Sequence, residues 1–129
     1  MVGIVLVSHS SNIVNGLKEL ASQMAPTVPI ALAGGTNDGE IGTSMEKIMD
    51  AVESVYSEDG VIVMFDLGSA YMNAEMAIEC LDDEKKGNVK IIDVALVEGA
   101  ITAAVESSIG KNIKQIEETL KPMKLGKIS

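Results

Sequence analysis

Four short apolar runs, residues 2–8, 28–32, 61–65 and 89–94, are each followed by a stretch suited to a helix. That alternation constrains the chain more than any other feature. Continuous apolar runs of this length belong to strands buried on both faces, and buried neighbouring strands are parallel strands joined by crossover helices. Behind the first run, Ile13, Leu17, Leu20, Ala21 and Met24 recur at helical spacing, predicting a helix from about Asn12. Behind the second, Met45, Ile48, Met49, Val52 and Val55 do the same, with Thr43 or Ser44 placed to cap the helix. Residues 70–81 read as a third helix, 82–88 as a charged turn, and 100–109 and 112–120 as two more helices separated by Gly110. The expected fold is α/β: a doubly wound, mainly parallel sheet with helices on both faces, formed as one domain over residues 1–129.

Composition narrows what such a domain can do. With 129 residues, 47% of them hydrophobic, the chain is large enough to enclose a proper core. No stretch reaches the roughly 18 to 20 apolar residues of a membrane span, and the N-terminus lacks a basic signal-peptide region. The lone cysteine, Cys80, supplies neither an intramolecular disulfide nor a cysteine-rich metal site. Its spacing with Met76 and Ala77 predicts a core position. A cytoplasmic location is expected. The net charge of −9 and pI near 4.5 argue against nucleic acid or an anionic membrane as a partner. All ten basic residues are lysines, so any phosphate is held by backbone N–H groups, hydroxyls or a lysine rather than by an arginine fork. Charge is also uneven, with −12 over residues 1–110 and +3 over 111–129.

Parallel α/β sheets bind ligands beyond the carboxyl ends of their strands, where strand order reverses. Here those ends read Ser8-His9, Ala33-Gly34-Gly35-Thr36, Asp66-Leu67-Gly68-Ser69 and Leu96-Val97-Glu98-Gly99. A strand order 2-1-3-4 makes the first and third strands neighbours and brings His9, the single histidine, beside Asp66. A carboxylate that accepts the N–H of one ring nitrogen fixes the tautomer and leaves the other lone pair free as a nucleophile near neutral pH. Asp66 also stands where it can cap the following helix, and its two oxygens allow both roles. The start of the first helix, just behind His9, adds a partial positive charge suited to a phosphoryl group. Residues 34–39 begin like a P-loop but continue Glu40-Ile41 where Lys-Ser/Thr is required, so no nucleotide is cradled there.

Three separated stretches carry a family resemblance: "VSHS" after the first strand, "AGGTNDGEIGTS" after the second and "MFDLGSAYMNAE" after the third. Together they resemble the phosphotransfer subunits of phosphoenolpyruvate-dependent dihydroxyacetone kinases, which share the fold of mannose-type enzyme IIA domains. The resemblance covers nearly the whole chain. It implies that His9 accepts phosphate from the phosphocarrier HPr and passes it to ADP held on a second subunit, DhaL, while a third subunit, DhaK, binds dihydroxyacetone. It implies a homodimer, no metal, and no directly bound cofactor, Mg-ADP and ATP residing on the partner. Asp66 is expected to orient the imidazole, and Ser10, Ser11, Gly35, Thr36, Thr43, Ser44, Gly68, Ser69 and Asn73 to contact phosphate or partners. Because the sequence ends after this first domain, phosphate is expected from separate proteins. The last helix and the apolar residues of the tail, 123–128, offer cover for a sheet edge in the dimer, and Met72 or Met76 for a partner surface.

Two other readings stay open on these residues. Mannose-type sugar transporters carry a similar histidine, but usually with an Asp-Leu-x-Gly-Gly-Ser-Pro-x-Asn loop, whereas Gly68-Ser69-Ala70-Tyr71-Met72-Asn73 has one glycine and no proline. A regulatory module without catalytic activity is the other. A receiver domain would need an acidic pair at the first strand end, which Ser8-His9 does not provide.

Overall fold

The computed structural model describes residues 1–128, and among them are four strands and six α-helices. The strands are β1 (Gly3–Ser8), β2 (Ile30–Gly34), β3 (Val61–Phe65) and β4 (Val89–Ile91). The helices are α1 (Ser11–Met24), α2 (Met45–Val55), α3 (Ala70–Glu79), α4 (Asp83–Lys86), α5 (Leu96–Ser108) and α6 (Ile113–Leu120). The sheet has the order β2-β1-β3-β4 and every pairing is parallel.

Alternation along β1 divides the core into two layers. Ile4 and Leu6 face Val14, Leu17 and Ala21 of α1, Ala100, Ala103 and Ala104 of α5, and Ile116 and Leu120 of α6. Val5 and Val7 face the other way, into Ile48, Ala51 and Val52 of α2 and Ala70, Ala74 and Ala77 of α3. The doubly wound architecture follows, since every residue of β1 and β3 is buried and needs cover on both sides. Register then levels the strand ends. Val7 pairs with Phe65 and Ser8 with Gly34, so His9, Gly35 and Asp66 leave the sheet together.

Several boundaries differ from the sequence pattern. β2 begins at Ile30 rather than 28, because the Val28 N–H closes a turn onto the Ala25 carbonyl and Pro29 has no N–H to give. Residues 82–88, expected as a turn, include the single helical turn of α4. β4 stops at Ile91, and the residues assigned to its end, Leu96, Val97, Glu98 and Gly99, form the first turn of α5 instead. An unbroken apolar stretch does not reveal by period where strand gives way to helix. Cys80, expected in the core, is exposed. α3 buries an alanine stripe and ends at Glu79 with Cys80 as its C-cap, and the chain then turns so that Leu81 takes the buried place.

The tail returns across the carboxyl ends of β3 and β4. Lys124 pairs antiparallel with Val94, the Ala95 N–H donates to the Met123 carbonyl at 3.0 Å, and the Ile128 N–H donates to Asp93 Oδ2 at 3.3 Å. The segment expected to cover a sheet edge in a dimer therefore lies on the strand ends of its own chain, with Ser129 outside the described residues.

Gly34 sets how closely α1 starts against the end of β2. A Cβ there would lie 2.5 Å from Val14 Cγ2 and 2.7 Å from Ser11 Cα. Gly34→Ala is expected to destabilise the fold by about 1–3 kcal/mol through overpacking. Urea unfolding checks this, and an unchanged midpoint would refute it.

Candidate functional site

The site is assembled at the ends of β1 and β3. β1 ends in a fully buried Ser8 whose Oγ–H donates to Asp66 Oδ2 at 2.9 Å. The backbone N–H of His9 donates to the same oxygen, also at 2.9 Å. Asp66 Oδ1 lies 3.0 Å from His9 Nδ1 and accepts the Leu67 N–H at 2.7 Å. Burial pushes the Asp66 carboxyl up, but donation from the N–H groups of His9 and Leu67 and from the His9 and Ser8 side chains outweighs it and holds the pKa below the ordinary 3.8.

That ionised carboxylate decides the imidazole tautomer. A carboxylate offers only lone pairs, so the contact at Nδ1 requires the ring proton there and leaves the lone pair on Nε2. Ser69 Oγ stands 2.9 Å from Nε2 and donates to it in this tautomer. The line Asp66–His9–Ser69 therefore joins the two strand ends through both ring nitrogens. Side-chain exposures of 21% for His9 and 15% for Asp66 leave the ring reachable from solvent and the carboxylate beneath it.

The loop between β2 and α2 closes the other side. The Gly42 N–H donates to the His9 carbonyl at 2.9 Å, and the Gly35 N–H to the Ser8 carbonyl at 3.0 Å. Thr36 is spent on the loop itself: its N–H donates to the Glu40 carbonyl and its Oγ1 accepts the Glu40 N–H. Ser44 caps α2 by accepting the Lys47 N–H and donates its hydroxyl to Asn37 Oδ1. Thr43 Oγ1 accepts from Asn73 Nδ2 at 2.7 Å, which ties the loop to α3. Ser10 is the N-cap of α1, makes no side-chain cap hydrogen bond, and gives its N–H to Ser8 Oγ; Ser11 opens the helix. Gly68 packs against the carbonyl of Lys127 in the tail.

Of the residues expected at the site, Ser69 thus reaches the imidazole directly, while Thr36, Thr43, Ser44 and Asn73 build the loop around it. Sequence reasoning passed over Ser8 and Gly42. The signal for Ser8 was its small hydroxyl one residue before the histidine, at a level where only a neighbouring strand could receive it. Gly42 gave no signal, because its role depends on how the loop folds. Among the described residues no three metal-ligating side chains gather, and no helix is long and apolar enough to cross a membrane.

Residues 3–117 match the family described as the PTS system fructose IIA component, which makes the chain a IIA-type component of a phosphotransferase system. The chain belongs to that family and, within it, to the DhaM phosphoryl donor subunits of phosphoenolpyruvate-dependent dihydroxyacetone kinase. It is 42% identical over 121 residues to phosphoryl donor subunit DhaM of dihydroxyacetone kinase 2 from Listeria innocua, covering 93% of this chain and 97% of that one. It is 40% identical over 125 residues to the phosphotransferase subunit DhaM of Lactococcus lactis, covering 97% and 98%. The DhaM of Escherichia coli is longer, and the match, at 42% identity, covers 90% of this chain and 25% of that protein. Among solved structures, EF1359, a protein of unknown function, superposes with a TM-score of 0.84 at 31% identity over 98% of both chains. A mannose/sorbose-specific IIA subunit from Enterococcus faecalis shares the fold, with a TM-score of 0.52 at 17% identity over 95% of this chain and 88% of its own.

The lowered pKa of Asp66 carries a signed consequence for stability. A carboxylate depressed in the folded state contributes stability that is complete above the unfolded value and is lost as pH falls through the folded one. The unfolding free energy of the wild type is expected to drop below about pH 4 more steeply than that of Asp66→Asn, which has no proton to take up there. Urea titrations from pH 6 downward test this, and parallel profiles for the two proteins would contradict it.

Proposed function

We propose that His9 Nε2 is the phosphoryl acceptor of this subunit and that the protein relays phosphate from the carrier HPr to ADP held on DhaL, for phosphorylation of dihydroxyacetone on DhaK. The observation that carries this reading is the hydrogen-bonded line from Asp66 through Nδ1 to an Nε2 that meets the Ser69 hydroxyl, on a ring 21% exposed. The names of the relatives support its direction, since they are phosphoryl donor subunits.

In the first half-reaction the Nε2 lone pair attacks phosphorus on the phosphorylated carrier. The carrier's P–N bond breaks and its nitrogen takes back the bonding pair. Nδ1 keeps its proton, and the Asp66 charge stabilises the positive charge that develops on the ring. Ser69 has to release Nε2 first, after which its O–H can turn to donate to a phosphoryl oxygen. In the second half-reaction a terminal phosphate oxygen of ADP attacks phosphorus and the P–Nε2 bond breaks, restoring the lone pair. Mg²⁺ and ADP come with the partner subunit, whose clamp supplies in-line orientation, and this chain supplies the nucleophile and its alignment.

Exposed apolar side chains on the segment that follows Asp66 suit a protein partner rather than a free nucleotide. Leu67 is 59% and Met72 68% exposed, on the turn and helix that follow Asp66. The sugar-transport reading is disfavoured by the same turn, and a regulatory role without chemistry leaves the aligned Nε2 unused.

His9→Gln is expected to fold and to take up no phosphate when incubated with phosphoenolpyruvate and the upstream carriers, whereas the wild type gains the mass of one phosphate, labile to acid and stable to base. Phosphate retained by a folded His9→Gln protein would overturn the assignment. The same labelled wild type should keep its phosphate with Mg-ADP alone and lose it to the ADP-loaded partner.

We also propose a homodimer, because β2 and β4 are open edges of a short parallel sheet. Sedimentation at tens of micromolar should give twice the chain mass of 13.5 kDa; a monomer would count against it.

A further inference from the structure

The tail puts a lysine into a gap in the sheet directly above the site. In a parallel ladder, carbonyls two residues apart point to the same side. Val63 offers its carbonyl to the Ile92 N–H at 2.9 Å, so the next carbonyl on that side belongs to Phe65 and the next donor would come from Val94. Val94 instead turns away to pair with Lys124. Lys127 takes the vacated position: its Nζ donates to the Phe65 carbonyl at 2.5 Å and to the Val94 carbonyl at 2.7 Å. The ammonium also lies over the Phe65 ring, 4.3 Å from its centroid.

The Phe65 carbonyl belongs to the peptide group that leads into Asp66, so Lys127 grips the chain immediately before the carboxylate. It grips it again just after, because the Lys127 carbonyl packs against Gly68 too closely for any Cβ at that position. The next residue is Ser69, whose hydroxyl meets Nε2. Asp66, which meets Nδ1, lies between these two contacts, and Ser69, which meets Nε2, directly follows the second. Burial pushes the Lys127 pKa down, while the nearby charges of Asp93 and Asp66 act in the opposite sense and favour the ammonium.

We infer that Lys127 is a positioning residue for phosphotransfer, fixing the turn of residues 66–69 so that Asp66 and Ser69 bracket the two nitrogens of the imidazole. The inference rests on the phosphocarrier reading for its consequence, and on the hydrogen bonds above for its geometry. Without the ammonium, the Phe65 carbonyl loses its donor and the turn loses the anchor in front of Asp66. The four donors that converge on the carboxylate then no longer meet it at a fixed place.

The single histidine makes the test direct, because ring-¹⁵N-histidine labelling yields only the two ring nitrogens of His9. The wild type is expected to show a protonated Nδ1 and a lone-pair-bearing Nε2. Lys127→Met keeps the apolar stem over Phe65 and removes the charge and donors. It is expected to show averaged tautomer shifts, with phosphoryl uptake from the upstream carrier slowed about tenfold, as small misalignments of reacting groups do. Lys127→Arg, which can serve both carbonyls, should recover the wild-type shifts and most of the rate. Lys127→Gln, read in the same way, covers the case in which the methionine variant does not fold. Wild-type ring shifts in a folded Met or Gln variant would overturn the inference whatever the rate, since a slower protein with an unmoved imidazole has lost only a structural stitch. The ring spectra need no phosphoryl donor. Failure of the wild type to accept phosphate would therefore sink the phosphocarrier reading, and unmoved spectra in the variants would sink the role of Lys127 alone.

Discussion

Two oxygens of Asp66 collect four donors: the Ser8 hydroxyl, the His9 amide, the His9 ring and the Leu67 amide. Three of them come from the end of β1, so the carboxylate ties together two strands that meet only through their pairing in the sheet. Partial burial alone would raise the pKa of this carboxylate. With these donors it stays ionised, and its charge in turn dictates which imidazole nitrogen carries the proton. Carboxylate charge, ring tautomer and strand register are thus one constraint seen at three scales.

The rest of the molecule reads as support for that arrangement. The two core layers hold β1 and β3 rigid from both faces, which lets a contact between their ends be specific. The loop from β2 is bound to itself through Thr36 and Glu40, to α2 through Ser44, to α3 through Thr43 and Asn73, and to the histidine backbone through Gly42. Most of its hydroxyls are therefore structural, and the one hydroxyl that meets Nε2 comes from the opposite side, from Ser69. Division of labour of this kind leaves the His9 side chain partly exposed, at 21%.

A site made in this way asks little of the protein in binding energy and much in alignment. A body of −12 over residues 1–110 is a poor place to gather a polyphosphate. A phosphorylated imidazole needs only in-line approach of an acceptor oxygen, which a second subunit can supply. The relatives named as phosphoryl donor subunits fit such a division between a donor and a separate kinase body.

The alternation of apolar runs and helical periods was enough to read a parallel doubly wound sheet, because burial on both faces leaves a pattern that local composition records, while the strand order 2-1-3-4 was taken from the common flavodoxin-like arrangement. The facing of His9 and Asp66 followed from that order alone, since residues that end adjacent parallel strands emerge side by side. Element boundaries at β2 and after β4 were not legible, as proline turns and unbroken apolar stretches carry no period. Nor was the exposure of Cys80, which depends on where α3 stops. Tertiary structure alone decided that Ser8 serves the carboxylate, that Gly42 holds the histidine backbone, and that the tail turns inward to place Lys127 against Phe65. Each of these is a contact between residues distant in sequence, made by individual hydrogen bonds. Such a bond leaves no periodic trace in the chain, and only the folded backbone brings its donor and acceptor within 3 Å.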